Sequence, residues 1–126
     1  ILKITGINDA MLHGKPSFVE FLTPLAEFFL GERYLIAHNL DFDRNLLRYE
    51  LIRLGKVLQF PWPITHICTV EKSKHIKKHR MKLKDLYKEA TGRDFVDAHR
   101  AMPDTEALVI CVKWLIEKGG LNGFVR

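Results

Sequence analysis

Four consecutive apolar residues, Tyr34-Leu35-Ile36-Ala37, run directly into His38-Asn39 and then into a stretch with helical spacing. A strand that is apolar on both faces has no solvent side, so it belongs in a parallel sheet covered above and below. Neighbouring parallel strands need a long crossover, and the helix that follows supplies one. That helix is expected from about Phe42 to Leu54, burying Phe42, Leu46, Leu47, Leu51 and Leu54, with Gly55 ending it. After the rigid turn Pro61-Trp62-Pro63, Ile64 to Val70 reads as a second strand. Strand, helix and strand in that order predict an α/β layer structure.

The remaining segments extend this pattern. Ile1 to Ile7 reads as the tail of a strand entering the turn Gly6-Ile7-Asn8-Asp9. From Ser17 to Leu30, apolar residues at Phe18, Leu22, Leu25 and Phe29 have helical spacing, with Gly31 as the C-cap. Pro24 predicts a kink there, or two short helices. Leu83, Leu86, Tyr87 and Ala90 mark a short helix ended by Gly92. A last helix is expected from Pro103 to Lys118, with Leu108, Cys111, Val112, Leu115 and Ile116 on its buried face. Two strands are a poor platform for four helices, because three or more are usually needed for independent stability. Residues 1–126 are therefore expected to be one domain, the C-terminal portion of an α/β unit. About three further strands, roughly 30 residues with their turns, are expected ahead of Ile1.

Composition narrows the partners. No apolar run reaches the length of a membrane span, and no signal-peptide pattern opens the chain, so a cytoplasmic protein with no membrane partner is expected. Cys68 and Cys111 both sit in apolar settings and read as reduced, buried thiols. The formal net charge of +5 points to an anionic partner, of which nucleic acid is the commonest. The excess is concentrated in Lys72, Lys74, Lys77, Lys78, Arg80, Lys82 and Lys84, with His75 and His79 among them. Such a run is a solvated surface in most proteins; in a protein that binds nucleic acid it would attract a phosphate backbone, and a nuclear localisation signal is a third reading.

Two segments carry chemistry. In Ala98-His99-Arg100-Ala101-Met102-Pro103-Asp104, Pro103 suits a first helical position and Asp104 the first turn, where the helix dipole favours a carboxylate. His99 would then stand on a loop over that helix start. In His38-Asn39-Leu40-Asp41-Phe42-Asp43, a strand again opens into a helix. Asp41 fits the N-cap, which leaves Asp43 available for another task. Ligands of α/β folds gather at such carboxyl ends of strands.

His38-Asn39-x-x-Phe42-Asp43 and His99-Arg100-Ala101-x-x-Asp104 resemble the second and third motifs of the DEDDh-family 3′–5′ exonucleases, which include the proofreading subunits of bacterial replicative polymerases. Gly6-Ile7-Asn8-Asp9-Ala10-Met11-Leu12 is similar to that family's turn ahead of the first long helix. The resemblance implies a ribonuclease-H-like fold and hydrolysis of a terminal phosphodiester with two Mg²⁺ or Mn²⁺ ions flanking the scissile phosphate. It makes Asp43 and Asp104 metal-site carboxylates and His99 the general base for the attacking water. Asn39, His38 and Arg100 would bind substrate, with Lys77, Lys78 and Arg80 on its backbone; the other reading has His38 only ordering the strand end and Arg100 simply solvated. The implied partner is a single-stranded DNA 3′ end, with RNA as the other candidate, and a polymerase beside it in replication or repair.

One departure stands out. No strand segment carries the family's first motif, an Asp-x-Glu; the sequence has that pattern only at Asp104-Thr105-Glu106, opening the last helix. Asp43 and Asp104 alone would face about four positive charges, each ion asking for six oxygen ligands. The chain is thus expected to be an incomplete domain. Two alternatives follow: a non-catalytic nucleic-acid-binding module derived from a nuclease, or half of a split exonuclease whose partner chain supplies the first motif. His66 stands where many family members have an aspartate, and no role is assigned to it.

Overall fold

The computed structural model describes residues 8–96 and 100–119. In chain order the elements are α1 (Asp9–Leu12), α2 (Phe18–Phe29), β1 (Tyr34–Ala37), α3 (Leu40–Arg53), β2 (Thr65–Cys68), α4 (Thr69–Lys77), α5 (Leu83–Thr91) and α6 (Ala101–Glu117). β1 and β2 pair in parallel, with Tyr34 opposite Thr65, Leu35 opposite His66, Ile36 opposite Ile67 and Ala37 opposite Cys68. The parallel α/β arrangement expected from Tyr34–Ala37 is present, with α3 as the crossover. The expected strand tail at Ile1–Ile7 lies outside the described residues.

The core forms where β2 meets the last three helices. Ile67, Met81, Leu86, Cys111 and Leu115 are buried together, with Tyr34, Ile36, Ile76, Leu83, Tyr87, Val112 and Trp114 packed around them. Each fully buried aliphatic side chain contributes about 1.5–3 kcal/mol through water exclusion. On the other flank, α2 docks through an aromatic chain. The Phe29 and Phe60 rings meet edge-on at 5.0 Å, and Phe60 meets Trp62 at 5.1 Å.

Several local expectations give way. α2 runs unbroken through Pro24. Its start is secured by the Ser17 backbone N–H, which donates to the Glu20 carboxylate at 2.8 Å. β2 is shorter than Ile64–Val70, because the chain enters α4 at Thr69. The basic run hides that helix: Thr69, Val70 and Ser73 are buried and Ile76 half-buried, at helical spacing.

α3 starts two residues before the expected Phe42 and buries a different stripe. Leu40 and Leu51 are buried, with Leu47 and Leu54 partly so, whereas Phe42 is 62% and Leu46 53% exposed. Tyr49 and Ile52 share the exposed side at 69% and 53%. The two described strands, β1 and β2, cover only one side of this helix. In α6 the buried residues are Ala107, Cys111 and Leu115, and the expected Ile116 is exposed. Both cysteines are free thiols. No helix among the described residues is long and apolar enough to cross a membrane.

Candidate active site

The carboxyl end of β1 opens into α3 through Asn39, which adopts the left-handed conformation at φ 65° and ψ 59°. Asparagine tolerates that region better than most residues do. The turn brings the Leu40 N–H to the Cys68 Sγ at 3.4 Å, tying the ends of the two strands together. Asn39 occupies the N-cap position without a side-chain cap, so Asp41 is not the N-cap but a first-turn residue.

The two aspartates of that turn then part company. Asp41 is paired with Arg44, whose guanidinium also reaches His66 Nδ1 at 3.1 Å. His66 Nε2 faces the Pro63 carbonyl at 2.9 Å, and a carbonyl only accepts, so Nε2 carries the proton and Nδ1 receives the Arg44 bond. The residue left without a role is thereby a fastener between α3 and β2. Asp43 has no ion pair among the described residues, and burial pushes its carboxyl above the usual value. It is the acid of this pair that remains available.

His38 is held from both sides. Its Nδ1 lies 2.8 Å from Thr69 Oγ1, at the start of α4, and its Nε2 2.7 Å from the Met81 carbonyl. Nε2 must donate to that carbonyl, so in the neutral ring Nδ1 accepts from the Thr69 hydroxyl. Burial lowers the ring's pKa most, with Arg80 acting in the same direction against the Met81 bond. Both ring nitrogens are engaged inside the protein, which leaves His38 no polar atom for the expected substrate contact.

The basic segment is not uniform. Lys74 and Arg80 both pair with Glu71, at 2.8 and 3.1 Å, and Lys77 pairs with Glu89 of α5 at 2.8 Å. The Lys74 bond is the main reason the Glu71 carboxyl lies below its ordinary value, and the Glu89 bond raises Lys77. Arg80 also reaches Asn39 Oδ1, at 3.4 Å. Lys78, Lys82 and Lys84 are exposed with no ion pair among the described residues. Lys77 and Arg80 are thus committed within the fold, whereas Lys78 faces solvent.

At the second junction, Asp104 is half-buried in the first turn of α6, and its backbone N–H donates to the Arg100 carbonyl at 2.9 Å. α6 begins at Ala101, so Pro103 stands third rather than first. This is still within the first turn, where a missing donor breaks no helical bond. Arg100 is the exposed N-cap residue. His99, the expected general base, lies outside the described residues. Among the described residues, no group of three His, Cys, Asp or Glu side chains is placed to hold a metal ion. Asp43 and Asp104 on their own therefore do not make up the two-ion centre.

Comparison with known proteins bears on these junctions. A model of the exonuclease family RNase_T matches residues 1–111. The chain is 33% identical over 127 residues to DNA polymerase III PolC-type of Bacillus subtilis, covering 94% of this chain and 8% of that protein. The PolC-type polymerase of Clostridium perfringens is 29% identical over 119 residues, with the same coverages. A "putative bifunctional exonuclease/endonuclease protein" of Mycobacterium tuberculosis is 30% identical over 128 residues, covering 98% of this chain and 19% of that protein. The chain thus spans less than a fifth of the length of each of these relatives. The exonuclease family generally uses divalent metals and implies a ribonuclease-H-like α/β fold, with which the parallel β1–α3–β2 unit agrees. With a match across residues 1–111, and with Asp43 and Asp104 at two helix starts, this chain belongs to the RNase_T exonuclease family and is DEDDh-like.

Proposed function

We propose that the chain is the C-terminal portion of an exonuclease domain that removes nucleotides from the 3′ end of DNA. The observation that carries this reading is Asp43, a first-turn carboxylate with no ion pair among the described residues, while its neighbour Asp41 is paired with Arg44. Asp43 and Asp104 are the chain's contribution to a divalent-metal site, with Mg²⁺ or Mn²⁺ as the ions. Further oxygen ligands are needed to complete it. His99 is the base that accepts the proton of the attacking water, and Asn39 and Arg100 lie beside the terminal nucleotide. Two of the relatives are named as DNA polymerase III, which makes a replicating polymerase the proposed partner.

The test uses single-stranded DNA labelled at either end, with Mg²⁺ or Mn²⁺ added, and a form of the protein in which a segment carrying Asp-x-Glu precedes this chain. Trimming should start at the 3′ end and disappear in Asp43→Asn, Asp104→Asn and His99→Ala, while all three still bind DNA. Trimming at an unchanged rate in those variants, or trimming from the 5′ end, refutes the proposal. A second reading is a nucleic-acid-binding module without turnover. Lys78, Lys82 and Lys84, exposed and with no ion pair among the described residues, favour it. Salt-sensitive binding with no metal-dependent cleavage supports that module. Cleavage that appears only when a chain carrying Asp-x-Glu is added supports a split enzyme.

A further inference from the structure

Two adjacent residues at the end of β1 are tied to two adjacent residues of the basic turn. His38 Nε2 donates to the Met81 carbonyl at 2.7 Å, and Arg80 donates to Asn39 Oδ1 at 3.4 Å. The turn is anchored from its other side as well. The Met81 side chain is 4% exposed in the core cluster, and Arg80 is braced by Glu71 at 3.1 Å. Lys78 reverses the chain in the left-handed conformation at φ 59°, so Lys78 and Lys82 flank the tied pair. Two exposed lysines of the basic run, with no ion pair among the described residues, are therefore held beside the junction that carries Asp43.

We propose that His38 is a positioning residue that holds the basic turn at Lys78–Lys82 in register with the Asn39–Asp43 junction, so that nucleic acid gripped by the turn is presented to that junction. The proposal rests on the nucleic-acid reading above. A tie of this kind needs a donor at Nε2, and the Met81 carbonyl fixes that tautomer. Burial and the Arg80 charge keep the ring neutral, so that Nδ1 stays open to the Thr69 hydroxyl. His38 reaches 31 residues along the chain to Thr69 and 43 to Met81, which joins the start of α4 and the basic turn through one side chain.

The test compares the wild type with His38→Ala, His38→Gln and Thr69→Val at a temperature where circular dichroism shows all four folded. Gln keeps an amide donor that can reach the Met81 carbonyl; Thr69→Val removes the other His38 bond, together with the longer Thr69 hydroxyl contact to the Ala37 carbonyl at 3.4 Å. Affinity for a short single-stranded oligonucleotide is read by fluorescence anisotropy, and amide exchange over residues 78–82 by mass spectrometry. His38→Ala should weaken binding about five- to tenfold and speed exchange at 78–82, without speeding it in α6. His38→Gln should recover most of both, and Thr69→Val should bind as the wild type does. Equal affinity and equal exchange in His38→Ala overturn the proposal, as does a Gln variant no better than Ala. A merely structural histidine would lower the melting temperature but leave the affinity of the folded protein unchanged. If the wild type itself binds no oligonucleotide, the nucleic-acid reading fails and the coupling fails with it; a wild type that binds while His38→Ala binds equally well refutes the coupling alone.

Discussion

Replacing Lys78, Lys82 and Lys84 together with alanine should flatten the salt dependence of single-strand binding. All three are exposed and without an ion pair among the described residues, so each is available to displace a counterion from a phosphate. Each neutralised phosphate on a single strand contributes about 0.7 to the slope of log affinity against log salt, so three contacts contribute about 2. Between roughly 50 and 200 mM salt, the loss of affinity should then shrink by about fifteenfold relative to the wild type. The comparison variant is Lys74→Ala with Lys77→Ala, which removes charges already held at 2.8 Å by Glu71 and Glu89. It should change the slope by less than about 1, because those cations are neutralised before nucleic acid arrives. The assay is anisotropy of a labelled oligothymidylate over a salt series. Equal flattening by the two variants would show that the ion pairs do not decide which lysines bind, and an unchanged slope in the triple variant would remove this turn from the interface.

Other predictions concern the frame of the site. Leu86→Ala should cost about 2–5 kcal/mol in urea unfolding, since Leu86 is fully buried against Met81, Cys111 and Leu115. Leu58→Ala, at a residue 97% exposed, should stay within about 0.5 kcal/mol; a similar loss in both would mean the core lies elsewhere. Because the folded pKa of His38 is held below its ordinary 6.5, the unfolded chain takes up the proton first. The His38 contribution is therefore complete above that value and is lost as pH falls from 6.5 towards the folded pKa, by at most about 1.4 kcal/mol per pH unit. His38→Gln should remove that slope, and identical pH profiles would refute the assignment. Burial pushes the Cys111 thiol up to about 11, so at pH near 8 a thiol reagent should modify at most Cys68 in the folded chain and both cysteines after unfolding. Rapid reaction of two thiols in the native protein would contradict that burial.

The elements read correctly from the sequence are those whose cause is local. Tyr34–Ala37 forms the strand that four apolar residues in a row predict, although only Ala37 is buried and the other three are half-buried, and Gly31, Gly55 and Gly92 follow helix ends with φ near +70 to +80°. The misread features depend on distant partners. Which side of α3 is buried depends on how far the sheet extends, so Phe42 and Leu46 could not be placed from helical spacing alone. The charge of the basic run obscures α4, although Thr69, Val70, Ser73 and Ile76 mark its inner face.

The same division runs through the site. Asp41 and Asp43 are alike in type and stand two residues apart, and only the position of Arg44 one turn on makes the first structural and leaves the second available. Lys77 and Lys78 are neighbours with the same side chain. One ends α4 within reach of Glu89, whereas the other turns the chain back and faces solvent. Composition counts both as positive charge, yet a phosphate meets only the charge that the fold has not already neutralised. The net charge of +5 therefore bounds the attraction to nucleic acid, and the pattern of ion pairs decides where on the surface it acts. On the function proposed above, that place is the turn held by His38, next to the start of α3.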